Sequence, residues 1–297
     1  MGAKQFLVNA YDVHQKKLMV FSFLVLIACI ISLGVGYART GELFQKGVSL
    51  KGGITLTVPV ESSVDIHSLE GALSSKYPSA DISVREITER GRVAALIVEA
   101  SDVSPEDLKA SLPELGVPLV EGEYSIESMG SSLGQRFFIQ TVKAVIFAFV
   151  MVSIVVFLTF RALLPSFFVV FSAASGIIST LAVVNLLGMK LSTAGIAALL
   201  MLIGYSVDAN ILLTTKVLKR KSEGGTIIQR TVGAMRTGLT MTLCALASSL
   251  IGLAFIRSDV ISQIMIIVSV GLLFDIIYTW FQNAWILRWY MVKHGSS

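Results

Sequence analysis

Long apolar segments constrain this chain more than any other feature of its sequence. Apolar residues fill 54% of the 297 positions and charged residues only 15%, more apolar surface than one soluble core needs. Because the later segments lack the polar faces of water-soluble helices, we predict a polytopic α-helical membrane protein. A bilayer-spanning helix needs about 20 residues, and six stretches qualify, at roughly 18–36, 144–160, 165–187, 191–213, 238–256 and 260–287.

The first apolar segment has two possible interpretations. Lys16 and Lys17 precede it, as positive charges precede the apolar core of a cleavable signal peptide. The segment is longer than a typical signal core, so we predict a retained anchor over 18–36. Cys29 and Cys244 fall inside separate predicted spans, and we therefore expect no structural disulfide between them.

Basic residues are concentrated on one set of connections between the spans. By the positive-inside rule these connections are cytoplasmic, which predicts a cell-membrane protein with both termini, 1–17 and 291–297, inside the cell. Few basic residues lie in the short loops on the other side. The residues that carry this prediction are Lys4, Lys16, Lys17, Arg161, Lys216, Lys219, Arg220, Lys221, Arg230, Arg236, Arg288 and Lys293.

The net charge of +4 combines two opposite surfaces. Residues 37–133 carry 8 basic and 15 acidic side chains, and the rest of the chain carries 16 basic and 5 acidic ones. The basic excess is the usual cytoplasmic bias of a membrane protein. We therefore predict a lipid bilayer environment and no nucleic-acid partner.

We predict that residues 37–137 form one folded extracellular domain between the first and second spans. A five-helix bundle over 138–290 is predicted to follow it. The pattern of apolar residues and caps indicates the order β-α-β-β-α-β, typical of a ferredoxin-like α+β domain. Ser104 and Pro105 give the second helix a capping residue and a proline at its first position. The predicted elements are Ile54–Val60, Asp65–Tyr77, Ala80–Glu89, a turn at Arg90 and Gly91, Arg92–Ala100, a helix from Ser104, and Tyr124–Ser128.

Catalytic patterns are missing from the sequence of this domain. His67 is a lone histidine in a predicted surface helix, without a nucleophile, a paired base or a cluster with metal-ligand spacing. We therefore expect no enzymatic activity, cofactor or metal, and predict a binding or mechanical role.

Two carboxylates inside the spans are the first candidates for function. Asp208 and Asp275 lie about 25 Å and 24 Å from the outer ends of the fourth and sixth spans, at 1.5 Å per residue. A charged aspartate at the bilayer centre costs about 2.5–3.5 kcal/mol even on lenient scales, so each is expected to face protein or a water path. Arg236 enters the fifth span from the same side, and a buried pair of Asp208 with Arg236 is a candidate for proton exchange.

A purely structural interpretation competes with the proton-coupling one. Asp208 and Arg236 would then form a static ion pair, and Asp275 would belong to a hydrogen-bonded packing seam with Gln263, Thr279 and Asn283. Helical spacing puts Gly204, Tyr205 and Asp208 on one face of the fourth span and turns Ser206 and Asn210 to a different side. Small residues in the third span indicate close helix packing, at Ser172, Ala173, Ser175, Gly176 and Ser179.

Three passages resemble the SecF family of protein-export membrane proteins, and archaeal members more than bacterial ones. Gly47 to Gly53 resembles the family's double-glycine start of a strand. The passage from Ile203 to Asp208, continued by Leu213 to Thr215 and by Lys219-Arg220, resembles its fourth-span signature. Arg236-Thr237 through Thr240 resembles the start of its fifth span.

The resemblance implies a member of the resistance-nodulation-division superfamily that works with SecD at the Sec translocation channel. It implies help in moving an exported polypeptide across the membrane, driven by the proton gradient. The family's coupling acid and arginine would map onto Asp208 and Arg236. Bacterial members read Asn-Asp where this chain has Asp208-Ala209, so the acid is turned by about 100° around the helix.

Two other functions are also compatible with the sequence. One is a small-molecule or lipid exporter subunit of the same superfamily, although such exporters commonly carry two six-span halves with larger external domains. The other is a structural scaffold of the translocation channel that uses no gradient.

Overall fold

The computed structural model describes residues 3–60, 64–89, 92–219, 226–256 and 258–294. They form two compact units, one of Met1–Gln45 with Lys143–Ser297 and the other of Lys46–Val142. The first unit is a bundle of membrane helices and the second is an α+β domain. The predicted turn at Arg90 and Gly91, like Arg220 and Lys221, lies outside the described residues.

Six of the described helices are long and apolar enough to cross a membrane, which confirms the predicted fold class. The first helix starts well before the predicted span. The sixth span is a composite in which a short π-helix separates two α-helices, and a second π-helix ends the fourth. The elements are α1 (Ala3–Thr40), α5 (Ser131–Phe160), α6 (Leu163–Leu186), α7 (Thr193–Thr214), π1 (Thr215–Lys219), α8 (Ile227–Phe255), α9 (Asp259–Ile277), π2 (Tyr278–Asn283) and α10 (Ala284–His294).

The α+β domain has the predicted order of strands and helices, with one short helix before them. Its four antiparallel strands lie in the order β2-β3-β1-β4, the arrangement of a ferredoxin-like sheet. The elements are α2 (Val48–Lys51), β1 (Gly53–Pro59), α3 (Ile66–Lys76), β2 (Ile82–Glu89), β3 (Arg92–Ala100), α4 (Pro105–Glu114) and β4 (Ser125–Met129).

One face of this sheet holds the apolar core of the domain. Leu56 of β1 stands opposite Val98 of β3 and Ile126 of β4, and α3 and α4 cover the same face with Leu73 and Leu108. Alternate residues of each strand therefore point into one core.

Both helices of the domain begin at a capping residue, and Ser104 is the cap that the sequence predicts for α4. The Ser104 hydroxyl accepts the backbone N–H of Asp107 at 3.1 Å, directly before Pro105. Asp65 caps α3 by accepting the N–H of Ser68 at 3.2 Å, and this bond holds the pKa of its carboxyl below the usual value.

Backbone conformation and close packing require the two glycines at the start of β1. Gly52 has a φ of 90° and Gly53 a φ of 132°, a region that side chains rarely adopt. A Cβ atom on Gly52 would lie 2.3 Å from Cα of Ser131, and one on Gly134 would lie 2.7 Å from the Gly52 nitrogen. Glycine is required here because the start of β1 touches the backbone of the first turn of α5.

Candidate functional site in the membrane helices

The two sides of α7 that the helical spacing separates differ in exposure in the structure. Gly204, Tyr205 and Asp208 are exposed, whereas Ser206 and Asn210 are buried. The buried face packs on α6 and α9. Asp208 therefore lies on the outer surface of this chain's helix bundle, within a span that composition assigns to the membrane.

The predicted buried pair of Asp208 with Arg236 is not formed in this structure, which corrects that interpretation. Both side chains are exposed, and the ion pairs of the described residues include none that joins them. The reason is the helical face, since α7 turns Asp208 away from its packed side. Thr240, also exposed, donates its hydroxyl to the Arg236 carbonyl at 2.9 Å, a bond within α8 that leaves the guanidinium unaffected.

Lys216 brings a second cation close to the start of the fifth span. Its Nζ atom lies 3.2 Å from the Thr237 hydroxyl and 3.3 Å from the Gly233 carbonyl. Thr237 directly follows Arg236, so π1 and α8 present two positive side chains near one end of the bundle. Lys216 was not predicted as a site residue, because its spacing in the sequence does not indicate this contact.

Asp275, by contrast, is buried inside the bundle, with only 4% of its surface exposed. The Thr279 hydroxyl donates to its Oδ1 atom at 3.0 Å. Asn210 of α7 donates to the Thr279 oxygen at 3.0 Å and accepts from Asn283 at 2.6 Å. The predicted seam of Asp275, Thr279 and Asn283 is therefore present, and Asn210 joins it to the fourth span.

Gln263 does not belong to this seam, which corrects the other part of that interpretation. It lies twelve residues before Asp275, about 18 Å along the helix at 1.5 Å per residue. Its amide nitrogen donates to the Lys190 carbonyl at 2.6 Å, and its amide oxygen accepts from the hydroxyl of Ser192. Ser192 caps α7, so Gln263 fixes the opposite end of the two helices.

The π-helix π2 leaves one backbone carbonyl free to accept a hydrogen bond from a neighbouring helix. The Ala284 N–H bonds to the Thr279 carbonyl, five residues back. Where a π-helix returns to α geometry, one carbonyl loses its helical donor. The next carbonyl along the chain, that of Trp280, accepts the buried Tyr11 hydroxyl of α1 at 2.5 Å.

Side chains of π2 also fix it to two further helices. The Tyr278 hydroxyl lies 2.5 Å from the Ser179 hydroxyl of α6. The Trp280 ring lies against Gly238 of α8, where a Cβ atom would approach the ring to 2.2 Å. Tyr11, Trp280 and Gly238 are not predictable from the sequence, because a hydrogen bond to a backbone carbonyl and a contact with a glycine leave no sequence pattern.

The helix bundle from the second span onward matches a known protein family. The family described as "Protein export membrane protein SecD/SecF, C-terminal" matches residues 118–293. The protein-export membrane protein SecF of Pyrococcus furiosus is 36% identical over 96% of this chain and 94% of that protein. The chain belongs to the SecD/SecF family. The SecF of Methanothermobacter thermautotrophicus is 40% identical, over 83% of this chain and 84% of its own length.

A solved structure supports the fold of this SecD/SecF-family chain. The crystal structure of SecDF from Thermus thermophilus, a translocon-associated membrane protein, matches with a TM-score of 0.76 over 95% of this chain. The two sequences are 18% identical, and this chain spans 38% of the SecDF chain. Within the SecD/SecF family match lie all three charged candidates, Asp208, Arg236 and Asp275.

Proposed function

We propose that this chain is an auxiliary subunit of the Sec translocase that works with a SecD subunit to promote polypeptide export across the cell membrane. Family membership and the names of the matched relatives support this role. The proposed partners are SecD, the Sec translocation channel and the exported polypeptide. The chain itself would be a transport subunit and not an enzyme.

The observation that carries the proposed mechanism is the exposure of Asp208 and Arg236 on the bundle surface. Charged groups in a membrane span are costly unless they meet protein or water. A SecD subunit covering this surface would supply polar partners and a hydrated path. Asp208 would then bind and release protons. Gly204 and Tyr205 share the surface, whereas Asp275 lies inside the bundle.

The proposed orientation places both termini in the cytoplasm and the α+β domain outside the cell. The basic connections support the first assignment by the positive-inside rule, and the acidic excess of residues 37–133 is consistent with the second. Proton passage would move the external domain relative to the membrane and so help to draw the emerging polypeptide outward.

Replacing Asp208 by Asn in the complex with SecD, reconstituted in vesicles, tests the coupling role. Asparagine keeps the shape of the side chain but cannot carry the charge, so we expect gradient-dependent export to be lost while copurification with SecD is retained. The measurement is the amount of protease-protected polypeptide with and without a proton gradient. Glu106→Gln, on the exposed first turn of α4, is the matched control and should export normally.

Unchanged export by Asp208→Asn would favour the scaffold function instead. Recovery of the chain with a lipid or drug-like molecule and without a SecD subunit would favour the exporter function. The names of the matched relatives favour protein export over that alternative.

A further inference from the structure

The carboxyl group of Asp275 is enclosed by helices but only half of it is hydrogen-bonded. Its Oδ1 atom accepts from Thr279, whereas its buried Oδ2 atom has no hydrogen-bond partner in the described part of the chain. The Ser206 hydroxyl of α7 lies beside the same carboxyl. Buried polar atoms are almost always satisfied, so the Oδ2 atom points to a ligand that can donate to it or coordinate it.

The direction of the surrounding hydrogen bonds is fixed. The Ser206 carbonyl can only accept, so the Asn210 group at 2.7 Å from it must be the amide nitrogen. The same nitrogen donates to the Thr279 oxygen, which leaves the Thr279 hydrogen free for Asp275. Asn210 therefore turns its oxygen to Asn283. The Thr279 hydrogen is therefore used by Oδ1, and no hydrogen bond of the described residues reaches Oδ2.

The π-helix aligns this chain of polar groups. An α-helix turns about 100° per residue, so side chains four residues apart drift by about 40° at each step. The i→i+5 bonding of a π-helix lowers the rotation to about 80° per residue, which turns four residues back by about 40°. Asn283 consequently returns to the line of Asp275 and reaches Asn210 of α7, where a continuous α-helix would turn it aside by about 80°.

Charged groups near Asp275 do not neutralise it. Helix α6 contains no charged residue over its whole length, and α7 carries only Asp208, on its exposed face. None of the ion pairs formed by the described residues includes Asp275. The helix that carries Asp275 packs against α6, α7, α8 and π2. The other charged or titratable residues of these five elements are Tyr205, Arg230, Arg236, Cys244, Asp259 and Tyr278. The Tyr278 hydroxyl is hydrogen-bonded to Ser179.

We propose that the Asp275 carboxyl is a binding site for one monovalent cation, a proton or a sodium ion, enclosed between α7 and the sixth span. An unpaired carboxylate in a low-dielectric interior is too costly to persist without one positive charge. The carboxyl Oδ2 and the Ser206 hydroxyl are hard oxygen ligands suited to either cation. The site is separate from the exposed Asp208 surface and does not depend on the proposed coupling role.

Infrared spectroscopy of the full-length protein in lipid vesicles tests the site directly, because a neutral carboxylic acid has a carbonyl band that a carboxylate lacks. In sodium-free choline buffer at neutral pH, we expect this band in the native protein and its loss in Asp275→Asn. Adding sodium at constant pH should abolish the band if sodium replaces the proton. A band that persists in sodium identifies the proton as the ligand.

Two further variants keep the test independent of the folding of Asp275→Asn. Thr279→Val retains the carboxyl but removes the bond to Oδ1, so the same band should shift to higher frequency. Asp12→Asn, in the exposed ion pair with Arg288, should leave it unchanged. The proposal is overturned if no acid band responds to either the Asp275 or the Thr279 substitution in sodium-free buffer and the spectrum does not respond to sodium.

Discussion

At the scale of single residues, the contact between Gly238 and Trp280 sets how closely the fifth and sixth spans approach. Trp280 is fully buried, and its ring occupies the space where any larger residue would place a Cβ atom. Membrane helices associate without a hydrophobic driving force between them, so close packing at small residues carries much of their stability. The glycine is therefore a packing residue two positions after Arg236.

Gly238→Ala should destabilise the helix bundle, since overpacking a buried site costs about 1–3 kcal/mol. Gly233→Ala is the matched control on the same helix. A Cβ atom there meets nothing within 4 Å, and alanine is favoured over glycine in a helix by about 1 kcal/mol. Thermal unfolding in detergent should give a lower midpoint for the first variant and an unchanged or higher one for the second. Equal midpoints would contradict the packing argument.

The sequence allowed some residue positions to be predicted and not others. Asp208 lies on a different side of α7 from Ser206 and Asn210, and this follows from the rotation of about 100° per residue in an α-helix. It could therefore be predicted from the sequence. Which of the two faces is buried does not follow, because α7 is apolar around nearly its whole circumference. The Asp208 and Arg236 pair was predicted from depth alone, and depth cannot determine helical face.

At the scale of elements, the caps and alternating strands of the α+β domain were predictable, whereas the π-helices were not. Capping residues and strand alternation are local signals. In a π-helix each backbone hydrogen bond spans five residues and not four. The residues from Tyr278 to Asn283 have no distinctive composition that would predict this change. Thr279 and Asn283 were correctly predicted to join Asp275, whereas the inclusion of Gln263 was wrong and the role of Asn210 was not predicted.

The start of β1 gives a prediction at this scale. Gly52→Ala places a side chain in a backbone region nearly restricted to glycine, which costs on the order of 1–3 kcal/mol, and adds a clash with the backbone of Ser131. Hydrogen exchange over β1 and the first turn of α5 should therefore accelerate. Gly71→Ala, in α3 with nothing within 4 Å of the added atom, should leave exchange in the domain unchanged or slower. Normal exchange in Gly52→Ala would show that this contact is dispensable.

At the scale of the whole molecule, the separation of charge along the chain predicts its orientation in the membrane. Basic residues bias their connections to the cytoplasm, and residues 37–133 carry an acidic excess. In a variant with Cys29 and Cys244 replaced by alanine, a cysteine at Glu106 should react with a membrane-impermeant reagent added to intact cells. A cysteine at Lys293, exposed near the end of α10, should react only after permeabilisation. The reverse labelling would invert the topology and place the α+β domain in the cytoplasm, where it could not draw a polypeptide outward.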